Sequence, residues 1–126
     1  MAAAVALALA ALWLGAPAAQ AEGRDLYITT TDAGHPAAFA WFYPHGEHWG
    51  VCDDQKDGKR AIVYLKNVRT GTVYTLFDDN GYNNTCSRSP VNFNLAEGTP
   101  VALRVCLRDG ALGPFSSCSA WTRSTA

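Results

Sequence analysis

The first 21 residues, MAAAVALALAALWLGAPAAQA, contain no charged side chain, and no later stretch is apolar for long enough to enter a membrane. The chain also lacks a basic cluster. Its ten Lys and Arg stand against eleven Asp and Glu, for a net charge of −1. A near-neutral balance of this kind cannot neutralise many phosphates, so nucleic acid is not expected as a partner. No C-x₂-C knuckle is present, which argues against structural zinc. No G-x-S-x-G elbow is present either, and Ser116, Ser117 and Ser119 sit in a β-rich run without a base and an orienting partner. No spacing of acids favours a glycosidase pair. Finally, no stretch combines a helical apolar period with caps. A non-catalytic, all-β chain without a cofactor is the expectation that these absences leave.

What is present begins with export. The apolar run Ala2 to Leu14 is too short to span a bilayer, which takes about 20 apolar residues. Gly15 and Pro17 interrupt it, and Ala19-Gln20-Ala21 has the small-x-small form of a signal peptidase site. A signal peptide over residues 1–21 and one secreted domain over 22–126 are expected. An uncleaved anchor is the competing reading. The usual Lys or Arg near the start is missing, so either the α-amino group supplies the charge or the start lies upstream. All four cysteines fall after residue 21. An even count in a small exported domain reads as two disulfides, which a modest core needs.

Period-two patterning predicts short strands at Leu26–Thr31, Ala37–Tyr43, Glu47–Cys52, Ala61–Asn67, Thr72–Phe77, Val91–Leu95, Pro100–Arg108 and Phe115–Thr122. Arg69-Thr70-Gly71 is a hairpin signal, and 78–90 reads as a polar loop. Seven or eight strands at this spacing mean an antiparallel two-sheet sandwich of fibronectin III or immunoglobulin type. In the run 100–108, Val101, Leu103, Val105 and Leu107 share one face, and Arg104, Cys106 and Arg108 the other. Cys106 therefore points away from the core. Folding the last two strands into a hairpin with Cys106 facing Cys118 sets Leu103 opposite Trp121, apolar on apolar. That register pairs Cys106 with Cys118 and leaves Cys52 for Cys86. The rival bridge, Cys52–Cys106 through the core, would need Cys106 on the apolar face.

Residues Leu95-Ala96-Glu97-Gly98-Thr99-Pro100-Val101 followed by Leu103-Arg104-Val105, Asp109-Gly110 and Gly113-Pro114-Phe115-Ser116 resemble the last two strands of fibronectin type III domains. The likeness covers the C-terminal third and implies the sandwich fold. It departs at Glu97, where proline is usual, and at Val101, where the corner tyrosine is usual, so the tyrosine-corner hydrogen bond is not expected. The cysteines are foreign to that family. More broadly, the order G-E-x-W-x-V-C-D, D-G, D-D-N-G-x-N-N-x-C, L-x-E-G and V-C-L is similar to small secreted actinobacterial proteins of uncharacterised function. A bacterial source would leave the sequon Asn83-Asn84-Thr85 unused.

Four readings of the chemistry follow. Asp53-x-Gln55-x-Asp57-Gly58 mimics a calcium loop, but position twelve falls on Tyr64 instead of a bidentate Glu, which removes an EF-hand. A looser calcium site from Asp53, Asp57, Asp78 and Asp79 would require the Cys52–Cys86 bridge to join their loops; a plain acidic turn is the alternative. His45 and His48 point to opposite strand faces unless the turn between them rotates one, and with His35 they read as exposed loop residues. Trp41 and Tyr43 share a strand face opposite to Phe42, so part of this aromatic run lies outside the core unless Leu26–Ile28 covers it. Uncovered, Trp41 and Tyr43, with Trp49 or Tyr82, form a patch that suits an extracellular polysaccharide or protein. Core packing is the simpler expectation for Trp49 and Trp121. The alternative function is inhibition of a secreted hydrolase by the loop 78–90, with Arg88 filling an acidic pocket. A monomer is expected.

Overall fold

Strand alternation builds two antiparallel sheets, and a computed structural model describes them for residues 23–126 apart from 33, 35, 56–57, 79–84 and 111. Sheet A has the order β1 (Leu26–Thr29), β2 (Ala38–Tyr43), β3 (His48–Asp53), β6 (Ser87–Arg88). Sheet B has the order β5 (Val73–Asp78), β4 (Lys59–Asn67), β7 (Pro100–Asp109), with β8 (Phe115–Ser116) and β9 (Thr122–Thr125) both on the free side of β7. No helix occurs among the described residues. The chain crosses between sheets from β3 to β4, β5 to β6 and β6 to β7, the wiring of a sandwich.

The core follows the period-two pattern. Phe42 and Val51 of sheet A are fully buried against Val63, Leu65, Leu103 and Val105 of sheet B. Trp49 is 2% exposed and meets Phe93 edge-on at 5.5 Å, while Phe93 meets Tyr74 at 5.1 Å. The run VNFNL is not a strand. The Phe93 N–H donates to Pro90 O across a turn, Val91 is 98% exposed, and Phe93 and Leu95 pack on the core from irregular backbone. Two apolar side chains suffice for that role, so the alternation seen in the sequence carries no ladder. Conversely, the polar loop 78–90 contains β6, a two-residue strand that pairs Gly50 with Arg88 and Val51 with Ser87. Leu26–Ile28 does not lie over the aromatic run. It is the edge strand beside it, with Tyr27 opposite Trp41.

Both disulfides form as the strand phase requires, Cys52–Cys86 and Cys106–Cys118. The last strand, however, is broken. Leu107 pairs with Ser116, and Leu103 with Thr122, so the outer strand uses two residues more than β7 between these points. Ser117 takes a φ of 51°, which shifts Cys118 opposite Cys106. Ser119 then bonds Val105 twice, its N–H donating to Val105 O and its Oγ accepting from Val105 N–H. The second extra residue, between Ser119 and Thr122, sets Thr122 instead of Trp121 opposite Leu103. A one-residue slip exchanges faces, and Trp121 is 42% exposed on the outside of sheet B rather than in the core.

Candidate functional site

The outer face of sheet A is organised around a missing side chain. Trp41 lies opposite Gly50, and a Cβ at Gly50 would come within 2.7 Å of the indole Cη2. The ring occupies that space, and the Arg88 guanidinium sits over it, 5.3 Å from its centroid. Trp41 is consequently 7% exposed. It is a floor, not a free platform. The exposed rings are its neighbours: Tyr43, which is 42% exposed, and Tyr27, which is 63% exposed and stacks on Phe39 at 5.3 Å. Burial and the nearby Asp54 and Tyr43 hold the Tyr27 phenol above its ordinary pKa.

Beside this floor is a cleft of about 390 Å³ bordered by Trp41, Tyr43, His48, Trp49, Arg88 and Val91. Ser89 also reaches it, while its Oγ accepts the Trp49 backbone N–H. Four residues singled out in the sequence, Trp41, Tyr43, Trp49 and Arg88, thus meet in one place. Tyr82 lies outside the described residues. Trp49 reaches the cleft from the core side, and its buried indole N–H finds no hydrogen-bond partner among the described residues. Arg88 belongs to β6 instead of projecting from a free loop. His48 is on the cleft because it lies opposite Tyr43; the Gly46 turn, at φ 77°, lets its imidazole fold back over the turn. His45 is exposed on the turn, and His35 lies outside the described residues.

The acidic stretch is partly resolved into geometry. Asp53 and Asp78 share the phase of core residues at one end of the sandwich, and both are buried. The Asp53 N–H donates to the Asp78 carboxylate at 3.0 Å, and Asp53 Oδ1 accepts the Gln55 N–H at 3.1 Å. The Asp78 carboxylate thus joins the two sheets next to the Cys52–Cys86 bridge, and the Asp53 carboxylate holds the turn that follows β3. Asp57 and Asp79 lie outside the described residues, and among the described residues no group of three or more metal-ligating side chains is brought together.

A second aromatic face was not foreseen. On the outside of sheet B, Tyr64 stands between Phe115, at 6.0 Å and nearly perpendicular, and Trp121, at 6.5 Å. The Arg108 guanidinium lies 4.8 Å from the Phe115 centroid, and that of Arg104 5.8 Å from Trp121. Burial pushes the Tyr64 phenol up, against the opposite pull of Arg108 and Arg104. The outward phase of Arg104 and Arg108 is legible in the sequence. The exposure of Trp121 is not, because it depends on the extra residue between Ser119 and Thr122.

The two disulfides belong to an oxidising, non-cytoplasmic compartment. Among the described residues no helix is long and apolar enough to cross a membrane. Comparison with family models, curated proteins and solved structures finds no match to this chain.

Proposed function

We propose that this is a secreted, non-catalytic binding module that holds an extracellular polysaccharide in the cleft on sheet A. The observation that carries the reading is the convergence of Tyr43, His48, Arg88 and Ser89 around one hollow of about 390 Å³ floored by Trp41. Saccharide rings offer apolar C–H faces and hydroxyl edges. Tyr43 supplies a half-exposed ring for the first, and the guanidinium and imidazole supply hydrogen-bonding groups for the second. Rigidity comes from the Cys52–Cys86 bridge, which pins β6 to β3 two residues from Arg88 and limits the ordering cost of binding. The Arg88 side chain lies over Trp41, a placement that favours this reading over an inhibitory loop that would need an extended arginine.

Affinity electrophoresis of the protein through gels containing xylan, soluble chitin derivatives, soluble cellulose derivatives or polygalacturonate tests it. Retardation by at least one glycan is expected, abolished by Tyr43→Ala and weakened by Arg88→Ala, with Trp121→Ala unaffected. Retardation by none of these glycans, or retardation that Tyr43→Ala and Arg88→Ala leave intact, would remove the proposal.

A further inference from the structure

The outer face of sheet B differs from sheet A in chemistry as well as position. Its hollow, also about 390 Å³, is bordered by Tyr64, Val73, Phe115, Trp121 and the Cys106–Cys118 bridge, with Arg104 as its charged member. A second hollow of about 160 Å³ shares Trp121 as a wall and adds Lys66 and Arg123. Large apolar groups stay exposed around them: Phe115 at 50%, Phe77 at 51%, Val73 at 48% and Trp121 at 42%. A cluster of this kind on a small soluble domain marks an interaction surface.

Charge on this face is segregated. The ladder registers put Arg60, Lys66, Arg104, Arg108 and Arg123 on the outward phase of β4, β7 and β9. Those five are half of the ten basic residues in a chain that has eleven acids. No Asp or Glu occupies an outward position among the described residues of these strands. Arg104 and Arg108 are also aimed. Each lies against an aromatic ring, and each Nε donates to a backbone carbonyl, Ser119 O at 3.2 Å and Gly113 O at 3.0 Å. The side chains are thereby oriented before any ligand arrives, with the terminal nitrogens left to meet a carboxylate.

We propose that the outer face of sheet B docks an acidic segment of a partner protein, which seats an apolar side chain between Tyr64, Phe115 and Trp121 and sets carboxylates against Arg104 and Arg108. Charge complementarity selects the occupant. A second copy placed face to face would bring cations against cations. A saccharide would leave its hydroxyls against Val73, aromatic rings and a disulfide, where few acceptors or donors await them. An apolar anchor flanked by acids satisfies both the hollow and the arginines. This proposal is independent of the saccharide reading, since the two faces lie on opposite sides of the sandwich.

The test is selection of a displayed random-peptide library on the full chain, followed by fluorescence anisotropy of the enriched peptides. Enrichment of sequences with an aromatic or branched apolar residue flanked by Asp or Glu is expected. Trp121→Ala should weaken binding about fivefold or more, Arg104→Gln roughly two- to fivefold, and Tyr43→Ala not at all. Both altered side chains are partly exposed, and an unchanged melting temperature will show that each variant is folded. Phe115→Ala provides a second check on the hollow should Trp121→Ala not fold. The proposal is overturned by enrichment of basic or neutral peptides, by no enrichment, or by binding that Trp121→Ala and Phe115→Ala both leave intact. It is also overturned if polygalacturonate binds and is lost with Trp121→Ala, or if the protein self-associates and Arg104→Glu strengthens that association.

Discussion

Replacing Gly50 with alanine tests whether the sheet A site is built on an absent side chain. A Cβ at this position would lie closer than 3.0 Å to Ser87 O, Trp41 Cζ2 and Trp41 Cη2. The carbonyl belongs to β6, next in sequence to Cys86, and the bond from Cys86 to Cys52 limits how far β6 can retreat. The indole can move only by giving up burial. Overpacking of a rigid site costs about 1–3 kcal/mol. Full expulsion of an indole costs about 4–6 kcal/mol, taking ~150–250 Å² of buried area at about 25 cal/mol per Å². Gly50 is not among the residues with positive φ, so alanine adds no backbone strain and recovers about 0.4–1 kcal/mol through the unfolded state. Between the two limits, with the clash relieved partly by overpacking and partly by displacement of the indole, the net expectation is a loss of about 2–4 kcal/mol, or a melting temperature lower by roughly 10–30 °C. Urea unfolding followed by circular dichroism measures the loss, and a red shift of tryptophan emission reports exposure of Trp41. Without the clash the sign reverses. A Gly50→Ala protein as stable as the parent, or more stable, would refute the reasoning.

The remaining predictions concern the staples and acid stability. Changing both cysteines of a bridge to alanine should cost about 3.8 kcal/mol for Cys52–Cys86 and about 2.8 kcal/mol for Cys106–Cys118, from loop-closure entropy over separations of 34 and 12 residues; urea midpoints with equal m-values would check this, and the reverse order would contradict it. Asp32 gives the pH prediction. Burial pushes its carboxyl up, but hydrogen bonds from the Thr30 hydroxyl and from the Ala37 and Asp32 N–H groups, together with Lys59, outweigh that and hold it below its ordinary value of 3.8. A depressed folded-state value means that the stabilisation is present above the unfolded value and fades as pH falls from about 4 through the folded value. Asp32→Asn should therefore lower the urea midpoint at pH 7 and narrow its gap to the parent near pH 3, and a gap constant with pH would contradict this.

Much of the architecture was legible because a strand's chemistry is periodic. The alternation Val101, Leu103, Val105, Leu107 placed Cys106 outside the core, and both disulfides followed from that phase. The residues that meet in the sheet A cleft were legible only in part. Trp41 and Tyr43 share a face as the period requires, but their exposures differ sixfold, 7% against 42%, because Gly50 and Arg88 enclose one and not the other. Neither partner is near Trp41 in sequence. Val91–Leu95 misled for a related reason: Phe93 and Leu95 alternate as in a strand yet pack from irregular backbone after Pro90.

The sequence by itself determined the class of the fold, the pairing of the cysteines and which face of β7 is apolar, since these depend on side-chain period and short-range register. Tertiary structure decided which aromatics meet solvent. That depends on what lies across the sheet and on single-residue displacements, such as the one between Ser119 and Thr122 that turned Trp121 outward. One extra residue in a strand exchanges its faces without altering its composition, and no pattern along the chain records it.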